Sequence, residues 1–560
     1  MTMDALRAQA RNWVARDPSA EDRETVEAWL ATGDEAAIRA SFGTQLTFGT
    51  AGLRGPLRPG PAGMNLAQVA RVTTAVGRYL DRLGIDGPVV IGFDGRRGSR
   101  PFALEASRIL TAMGRRVLRY DDVVPTPVVA WTVRRESAAA GLVITASHNP
   151  PDDNGYKVFW GDGAQIVPPH DGGIAEELAG VDALPVGGTD GEILGAEHRE
   201  SYLADVLALR VRPGGKPLRV VYTPLHGVGA PFVEEVLARA GYTDVHVVSE
   251  QREPDGRFPT VAFPNPEEDG ALDLALSLAD EVGADLVVAN DPDADRLALA
   301  VPVDGGWRRL TGNEIGNLLA EELLEQGHHT EPRGVANTIV SSTRLARIAE
   351  AHGVRYGATL TGFKWLARVS MALAEEGGTL VLGYEEALGY SVGGLVRDKD
   401  GVSAALVAVD LVAASKAAGR TLVDLLDEQD RRYGALAGRQ TALVRKGAEG
   451  LAAIRTAMEG LRARPPARLG GCSVVATTDL QAGTRTTASG VEPVDLPRSN
   501  VLAFELDGGH RALVRPSGTE PKLKVYVEAT APSAGDLVAE RAMAEAVASA
   551  IEQELLERVG

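Results

Sequence analysis

LVITASHNP, residues Leu142–Pro150, changes from a short apolar run to a dense polar loop. Two later segments repeat this change, LVVANDPDADR at Leu286–Arg296 and LVLGYEEALG at Leu380–Gly389. Short apolar runs that alternate with amphipathic stretches of helical length are typical of buried strands in an α/β protein. Because open α/β sheets bind ligands at the carboxyl ends of their strands, we predict three related α/β domains that each donate one loop to a shared cleft. Coincidence among valine-rich strands is the alternative, since the three runs are unequally spaced.

The rest of the sequence predicts the number of domains and two further regions, one at each end of the chain. At about 100–200 residues per domain, a chain of 560 residues forms about three to five domains. Residues 1–40 show helical spacing, with Ala5, Ala8 and Val26 among the positions suited to one apolar face. Near the end, a helix, several strand-like pieces and a closing helix predict an α+β domain. The predicted divisions are residues 1–40 for a helical extension, 41–212 for domain 1, 213–330 for domain 2, 331–437 for domain 3 and 438–560 for domain 4.

Composition excludes several classes of protein. Hydrophobic residues make up 44% and charged residues 24%, which is typical of globular proteins and excludes general disorder. The net charge of −18 has the wrong sign for a phosphate backbone or an anionic membrane surface, so we expect neither nucleic-acid nor membrane partners. The single cysteine, Cys472, fits a reducing compartment. Charged residues interrupt Met1–Leu30, and the sequence has no run of 18 apolar residues, so we expect a cytoplasmic protein.

Ser147 is the first candidate for catalysis. It stands at the end of a predicted strand beside His148, and Lys157 follows closely. A serine so placed can carry a covalent group while the lysine supplies positive charge or a proton. A Ser-His-Asp hydrolase fits poorly, because adjacent residues rarely give the geometry of a triad and no Gly-x-Ser-x-Gly elbow surrounds the serine. A simple turn rich in Ser, Asn and Pro is the alternative.

Asp291, Asp293 and Asp295 form the second candidate site. Carboxylates crowded this closely repel each other unless a cation lies among them. The loop is not an EF-hand, since Arg296 and Pro302 stand where that loop needs Gly and Glu. No His or Cys adjoins the aspartates, which favours Mg²⁺ and phosphate chemistry, with Arg296 facing the phosphate. A solvated turn is the alternative.

Glu385 and Glu386 lie together between glycines, an arrangement suited to accepting hydrogen bonds from sugar hydroxyls, although a metal role is also open. Nearby, the run RDKDG at Arg397–Gly401 contains Lys399, which could act as a general acid or base if the site lowers its pKa. On its own, this charge run is more typical of a solvated turn.

The last polar loop, RPSGTEPK at Arg515–Lys522, combines an arginine fork, two hydroxyls and the flexible backbone at Gly518. Such a loop can cradle a phosphate, although it lacks the Walker pattern. An ordinary turn is the alternative.

The four loops, in this order, resemble those of the α-D-phosphohexomutases, the phosphoglucomutase/phosphomannomutase family. GTAGLRG at Gly49–Gly55 resembles the first loop of that family, so the resemblance extends from about Phe48 to the end. It implies three similar α/β domains with mixed sheets plus a C-terminal α+β domain, around one central cleft. It also implies an intramolecular phosphotransferase, with small-molecule sugar phosphates as partners and a monomeric or dimeric state.

The resemblance also implies roles for individual residues. Ser147 would be a phosphoserine that passes its phosphoryl group to the sugar phosphate and recovers one from a bisphosphate intermediate, with glucose 1,6-bisphosphate as activator. The implied catalytic residues are Ser147, His148, Lys157, Lys399 and Arg54. The implied Mg²⁺ ligands are Ser147, Asp291, Asp293 and Asp295. The implied substrate-binding residues are Thr50, Arg296, Thr361, Gly362, Glu385, Glu386, Arg515, Ser517, Gly518 and Thr519.

The substrate is less clearly indicated. Ala387 follows the two glutamates, where many phosphoglucomutases carry serine and many phosphomannomutases carry Ser-Gly-His. This pattern is more similar to the phosphoglucomutase-2-like branch, and TGFKW at Thr361–Trp365 resembles a loop of gluco-type enzymes. We therefore expect interconversion of glucose 1-phosphate and glucose 6-phosphate. Phosphomannomutase activity, phosphopentomutase activity and glucose 1,6-bisphosphate synthesis are the alternatives.

Overall fold

The computed structural model describes residues 1–49, 52–445, 447–517 and 522–560. These residues form two compact units. The first unit comprises Met1–Gly334 and Leu366–Ala418, and the second comprises Val335–Trp365 and Gly419–Gly560.

The chain begins with three helices, α1 (Met3–Val14), α2 (Ala20–Thr32) and α3 (Glu35–Phe42). They share a small apolar core of their own, which contains Leu6, Ala10, Val26, Ile38 and Phe42. The expected burial of Val26 is correct. Ala5 and Ala8 are exposed instead, because α1 turns the face of Leu6 and Ala10 towards the other two helices.

A six-stranded mixed sheet follows, in the order β1-β5-β4-β2-β3-β6. The pairing is parallel between β2 and β3, between β2 and β4, and between β3 and β6. Strand β5 is antiparallel to both of its neighbours, β1 and β4. Its elements are β1 (Gly52–Pro56), α4 (Leu66–Arg82), β2 (Val89–Phe93), α5 (Ser99–Ala112), β3 (Val117–Arg119), α6 (Thr126–Arg135), β4 (Ala140–Ile144), β5 (Asp153–Trp160), α7 (His170–Ala179), β6 (Glu192–Ile193) and α8 (Ala196–Leu207).

The next sheet has five strands in the order β11-β10-β9-β7-β8, and it is also mixed. Strand β7 is parallel to β8 and β9, whereas β10 is antiparallel to β9 and β11. Its elements are β7 (Val220–Thr223), α9 (Ala230–Arg239), β8 (Val245–Val247), α10 (Ser249–Arg252), α11 (Asp273–Val282), β9 (Leu286–Ala289), β10 (Ala298–Val303) and β11 (Gly306–Arg309).

The following segment again alternates helices and strands. Strand β14 pairs with β15 in an antiparallel hairpin, which carries the two predicted glutamates at its turn. The elements are α12 (Gly312–Gln326), β12 (Arg333–Thr338), α13 (Arg344–Ala351), β13 (Arg355–Thr359), α14 (Phe363–Glu375), β14 (Thr379–Glu385), β15 (Gly389–Val392), α15 (Gly401–Ala417) and α16 (Leu422–Tyr433).

The C-terminal part is built differently, as an antiparallel sheet with two long helices whose apolar side chains share its core. The main strand order is β16-β23-β22-β21-β18-β19-β20, and β17 pairs with β18. The elements are β16 (Ala435–Val444), α17 (Gly447–Ala463), β17 (Arg468–Leu469), β18 (Cys472–Asp479), β19 (Thr484–Thr487), β20 (Gly490–Pro493), β21 (Leu502–Leu506), β22 (Arg511–Pro516), β23 (Lys522–Ala531) and α18 (Leu537–Val559).

The predicted fold class, α/β domains with mixed sheets plus a C-terminal α+β domain, is confirmed. The domain limits remain predictions. Those after residues 40 and 437 lie within α3 and β16.

Among the described residues, no single helix is long and apolar enough to cross a membrane. Taken together, α15 and α16 have the length and apolar composition of a bent membrane-spanning pair. Helix α15, however, is buried inside the protein along nearly its whole length.

Candidate active site

Ser147 lies just after β4, with a backbone φ of 53° in the left-handed region. Residues other than glycine rarely adopt this region, which costs about 1–2 kcal/mol. The Ser147 N–H donates a hydrogen bond to Thr145 Oγ1 at 2.8 Å, and the Ser147 Oγ donates to Asp291 Oδ2 at 2.8 Å. His148 Nδ1 lies 3.0 Å from the same Oγ. The hydroxyl is therefore held in a strained turn, directly against a carboxylate.

The three aspartates follow β9 and are all buried. One carboxylate oxygen from each lies within 4.8 Å of the others. Thr126 Oγ1 donates to Asp293 Oδ2 at 2.6 Å, but Asp293 Oδ1 and Asp295 Oδ1 accept no hydrogen bond within the described part of the chain. Buried carboxylate oxygens without a partner are costly, and hard divalent cations bind such oxygens. The triad therefore fits a bound metal ion.

Two buried lysines contact this triad. Lys157 Nζ lies 2.7 Å from Asp293 Oδ2 and 3.0 Å from Asp295 Oδ2. Lys399 Nζ lies 3.1 Å from Asp295 Oδ2 and 3.3 Å from Asp398 Oδ1. The charge run at Arg397–Gly401 is thus largely buried, and the solvated-turn alternative is wrong.

The pKa of Lys399 is not lowered by the site, as a general acid or base role was expected to require. Burial alone would lower the pKa of Lys399 and Lys157, but the adjoining carboxylates outweigh burial and raise both pKa values. The pKa of Lys399 is therefore not lowered by the site, and its amine is a proton donor or a fixed positive charge in this arrangement. A cation at the triad would compete for the same carboxylates.

Charges also shift the remaining groups. Burial and repulsion between the aspartates raise the pKa of Asp291 well above its usual range. For Asp293 and Asp295, contacts with lysine outweigh burial and lower the pKa. Burial, with the nearby charges of Arg296 and Arg54, lowers the pKa of His148, so its imidazole is neutral near pH 7.

Two arginines border this cluster. Strand β1 pairs with β5 so that Gly52 faces Lys157, and a Cβ on Gly52 would lie 1.8 Å from the Tyr156 carbonyl oxygen. This close approach brings Arg54 to Asn149, whose Oδ1 accepts a hydrogen bond from it at 2.9 Å. The Arg296 N–H donates to Asp291 Oδ1 at 3.0 Å, and its guanidinium lies 3.4 Å from a carboxylate oxygen outside the triad, Oε2 of Glu267.

Glu385 ends β14, and Glu386 begins the turn to β15. Both side chains are half-buried. The Glu385 carboxylate acts on the pKa of both Arg296 and Lys399, so it lies near the triad. The backbone of Arg296 forms a bridge with Gly389, which ties the hairpin to the metal loop.

The predicted phosphate-binding residues divide between described and undescribed positions. In the second unit, Arg515 on β22 donates a short hydrogen bond to Thr361 Oγ1, and Gly362 follows with a φ of 110°. The Ser517 N–H donates to the Lys522 carbonyl at 2.8 Å. The structure thus brings Arg515 and Thr361 together from distant parts of the sequence. Thr50, Gly518 and Thr519 lie outside the described residues.

Sequence reasoning missed two residues of this site. Arg96 donates hydrogen bonds to carbonyls of the Ser147 loop, and Thr126 bonds to Asp293. Arg96 follows β2 as Ser147 follows β4, and Thr126 begins α6. Polar residues after a buried strand were the available signal for Arg96, whereas no local pattern marks Thr126.

The comparisons with known proteins agree along the chain. Four family models match, three described as the α/β/α domains I, II and III of phosphoglucomutase/phosphomannomutase and one as its C-terminal domain. They cover residues 45–184, 200–305, 311–433 and 475–547, respectively.

Individual proteins support the same assignment. A probable phosphomannomutase of Haemophilus influenzae is 39% identical over 86% of this chain and 96% of its own. A probable phosphoribomutase of Schizosaccharomyces pombe is 35% identical over 94% of each chain. The crystal structure of a putative phosphomannomutase from Thermus thermophilus shares the fold, with a TM-score of 0.69 at 24% identity, over 92% of this chain and 99% of that one. The resemblance found in the sequence is confirmed, and the chain belongs to the phosphoglucomutase/phosphomannomutase family of phosphomutases.

Proposed function

We propose that this protein interconverts glucose 1-phosphate and glucose 6-phosphate, with Ser147 as the carrier of the phosphoryl group. The observation that carries the proposal is the contact of the Ser147 Oγ with Asp291 in a cluster that also holds two buried lysines. A hydroxyl nucleophile, a divalent-cation site and fixed positive charge are the requirements of phosphoryl transfer.

In the forward direction, the phosphorus–oxygen bond at phosphorylated Ser147 breaks while the C6 oxygen of glucose 1-phosphate bonds to the same phosphorus. The C6 hydroxyl loses its proton, and the departing Ser147 oxygen regains one. The product of this step is glucose 1,6-bisphosphate, which turns over in the site. The bond between its C1 oxygen and phosphorus then breaks while the Ser147 oxygen bonds to that phosphorus. The serine hydroxyl loses its proton, the C1 oxygen gains one, and glucose 6-phosphate leaves, so the enzyme ends phosphorylated, as it began.

The side chains around Ser147 have separate tasks in this scheme. Lys157 and Lys399, whose positive charges the aspartates hold in place, donate a proton or offset the charge of the moving phosphoryl group. Arg54, which bonds to Asn149, and Arg296 add positive charge that acts on His148 beside the serine. His148, with its neutral imidazole 3.0 Å from the Ser147 Oγ, is suited to accept a proton there.

Asp291, Asp293 and Asp295 would hold Mg²⁺ together with an oxygen of the phosphoserine. When bound, this ion would neutralise negative charge on the phosphoryl group. The two carboxylate oxygens that lack a hydrogen-bond partner in the described chain support this assignment.

Substrate binding is assigned to two groups of residues. Glu385 and Glu386, at the turn of a hairpin, would accept hydrogen bonds from sugar hydroxyls. The phosphate that does not react would bind Arg515, Thr361, Gly362, Ser517 and, among the positions without described structure, Gly518 and Thr519. Thr50, which also lacks described structure, would act near the reacting phosphate, as the family resemblance implies.

A phosphopentomutase is the second candidate. The relative from Schizosaccharomyces pombe, named a probable phosphoribomutase, is 35% identical to this protein over 94% of this chain. The same phosphoserine chemistry would serve a ribose phosphate, because transfer from Ser147 requires only a sugar hydroxyl as acceptor, which would be the C5 oxygen of ribose 1-phosphate in place of the C6 oxygen of glucose 1-phosphate.

The deciding experiment compares kcat/KM for glucose 1-phosphate, ribose 1-phosphate and mannose 1-phosphate, each with Mg²⁺ and its own bisphosphate. We expect glucose 1-phosphate to lead by tenfold or more, which corresponds to about 1.4 kcal/mol in the transition state. A lead for ribose 1-phosphate would establish the second candidate. Accumulation of bisphosphate from an acyl phosphate donor, with slow mutase turnover, would indicate a bisphosphate synthase instead.

The carrier is tested with Ser147→Ala. Labelled phosphate from glucose 1,6-bisphosphate should remain on the wild-type protein and not on this variant, and turnover should vanish. Ser137→Ala is a matched control, because Ser137 also has a positive φ, of 47°, but is exposed on another turn. Full turnover by Ser147→Ala would refute the proposal.

A further inference from the structure

Arg96 holds the loop that carries Ser147. Its guanidinium is buried, with 1% of the side chain exposed. The hydrogen-bond distances are 2.6 Å to the Ser147 carbonyl, 2.8 Å to that of Pro150 and 3.1 Å to that of Asp153. A fourth carbonyl, that of Asn149, accepts a short hydrogen bond from the same nitrogen that binds Ser147. One side chain therefore gathers four carbonyls of a single loop.

The other side of the Ser147 backbone is held by a neighbour of Arg96 on the same turn. Asp94 Oδ2 accepts a hydrogen bond from Thr145 Oγ1 at 2.6 Å, and the Ser147 N–H donates to that Thr145 oxygen at 2.8 Å. Asp94 also lies 3.5 Å from Arg96 Nε in a buried ion pair. Both the N–H and the carbonyl of the strained serine are thus fixed by the turn that follows β2.

Arg96 is supported in turn by the segment between α10 and α11. The Phe258 ring lies 4.8 Å from the Arg96 Cζ and is 2% exposed, in the geometry of a cation–π contact. The chain approaches so closely that a Cβ on Gly256 would lie 2.7 Å from the Arg96 Cα. Arg96 thus packs between the loop of Ser147 and a segment adjoining the second sheet.

We propose that Arg96 is a positioning residue for phosphoryl transfer, which keeps Ser147 in its left-handed conformation and thereby fixes its Oγ beside Asp291, with Phe258 as the support of its guanidinium. This inference rests on the proposed function. A lysine cannot replace Arg96, because its single ammonium lacks the planar fork that reaches several carbonyls at once.

The test is Arg96→Lys, measured by steady-state kinetics and by single-turnover transfer of labelled phosphate from glucose 1,6-bisphosphate to Ser147. We expect kcat and the transfer rate to fall at least 100-fold, because a shift of about 1 Å in a reacting atom costs this much, while KM stays within threefold. A thermal melt checks that the variant is folded. Arg97→Lys is the matched control, since Arg97 is half-exposed and pairs with Asp152 at the surface.

Phe258→Leu gives an independent reading if Arg96→Lys fails to fold. Leucine keeps an apolar side chain but removes the ring face, so kcat should fall about tenfold at unchanged KM. Retention of kcat within threefold by a folded Arg96→Lys, or by Phe258→Leu, would overturn the inference. A wild-type protein that turns over no sugar phosphate would instead refute the proposed function itself.

Discussion

Lys157→Met should destabilise the protein strongly when no divalent cation is present. Lys157 Nζ is 2.7 Å from Asp293 Oδ2 and 3.0 Å from Asp295 Oδ2, and the lysine side chain is 10% exposed while the aspartates are 0 and 1% exposed. Methionine fills similar space but carries no charge, so Asp293 loses its contact with Lys157 and Asp295 keeps Lys399 as its buried lysine partner. Removing one member of a buried ion pair costs about 3–5 kcal/mol.

This loss can be expressed as a melting temperature. For a domain of about 150–250 residues, 1 kcal/mol shifts the midpoint by about 2–4 °C, so the transition that includes the first sheet should fall by roughly 6–20 °C. Mg²⁺ should restore part of the loss, because a cation would neutralise the same carboxylates. A ligand at a hundredfold excess over its Kd stabilises by about 2.7 kcal/mol.

The assay is scanning calorimetry in EDTA and again in Mg²⁺. Lys416→Met is the matched control, because Lys416 Nζ also contacts an aspartate at 2.7 Å, but the side chains of Lys416 and Asp285 are 41 and 27% exposed. Surface pairs contribute about 0–1 kcal/mol, so that variant should melt within about 4 °C of wild type in either buffer. Equal losses for the two variants, or a Lys157→Met deficit that Mg²⁺ leaves unchanged, would refute the reasoning.

Two further outcomes are expected. A Cβ on Gly389 would lie 2.3 Å from the Lys399 Cδ, so Gly389→Ala should displace that lysine and lower kcat by about 10–100-fold. As a control, Gly438→Ala should leave kcat unchanged, because a Cβ on Gly438 would meet no atom within 4 Å. Burial would raise the pKa of Glu528, but Arg511 and hydrogen bonds outweigh burial and lower this pKa. The ionised Glu528 carboxylate therefore stabilises the fold fully above about pH 4.5, and this stabilisation is lost as the pH falls through the lowered pKa of the folded state. Melting curves of wild type and Glu528→Gln should therefore differ near pH 7 and converge only when the pH falls below the lowered folded-state pKa of Glu528, and a constant difference would contradict this.

The strands that could be predicted are those with unbroken apolar runs. The run Val89–Phe93 coincides with β2, because a strand covered on both faces needs apolar residues at every position. Strand β20, at Gly490–Pro493, is exposed at every residue, and β16 alternates half-buried and exposed positions along much of its length. These strands are held by hydrogen bonds to strands that are distant in the sequence, so no apolar run in the sequence predicts them.

The candidate site was predictable where one short segment contains several polar residues. Ser147 and the Asp291–Arg296 loop carry their pattern locally, and the structure brings them together as expected. The burial of Lys399 could not be predicted from the sequence, since a run of alternating charges has the same pattern whether it is solvated or packed against carboxylates. Thr126 was missed because its link to Asp293 joins remote segments, and neither segment predicts the other.

The left-handed backbone at Ser147 also limits which hydroxyl this position can present. Threonine offers the same oxygen and the same phosphate ester chemistry, yet its β-branch crowds the backbone at a φ of 53°, where branched residues are rare outliers. The turn thus restricts side-chain choice through shape, before reactivity has any influence. In this chain the conformation of the main chain, more than the nucleophilicity of the side chain, excludes threonine from the position proposed to carry the phosphoryl group.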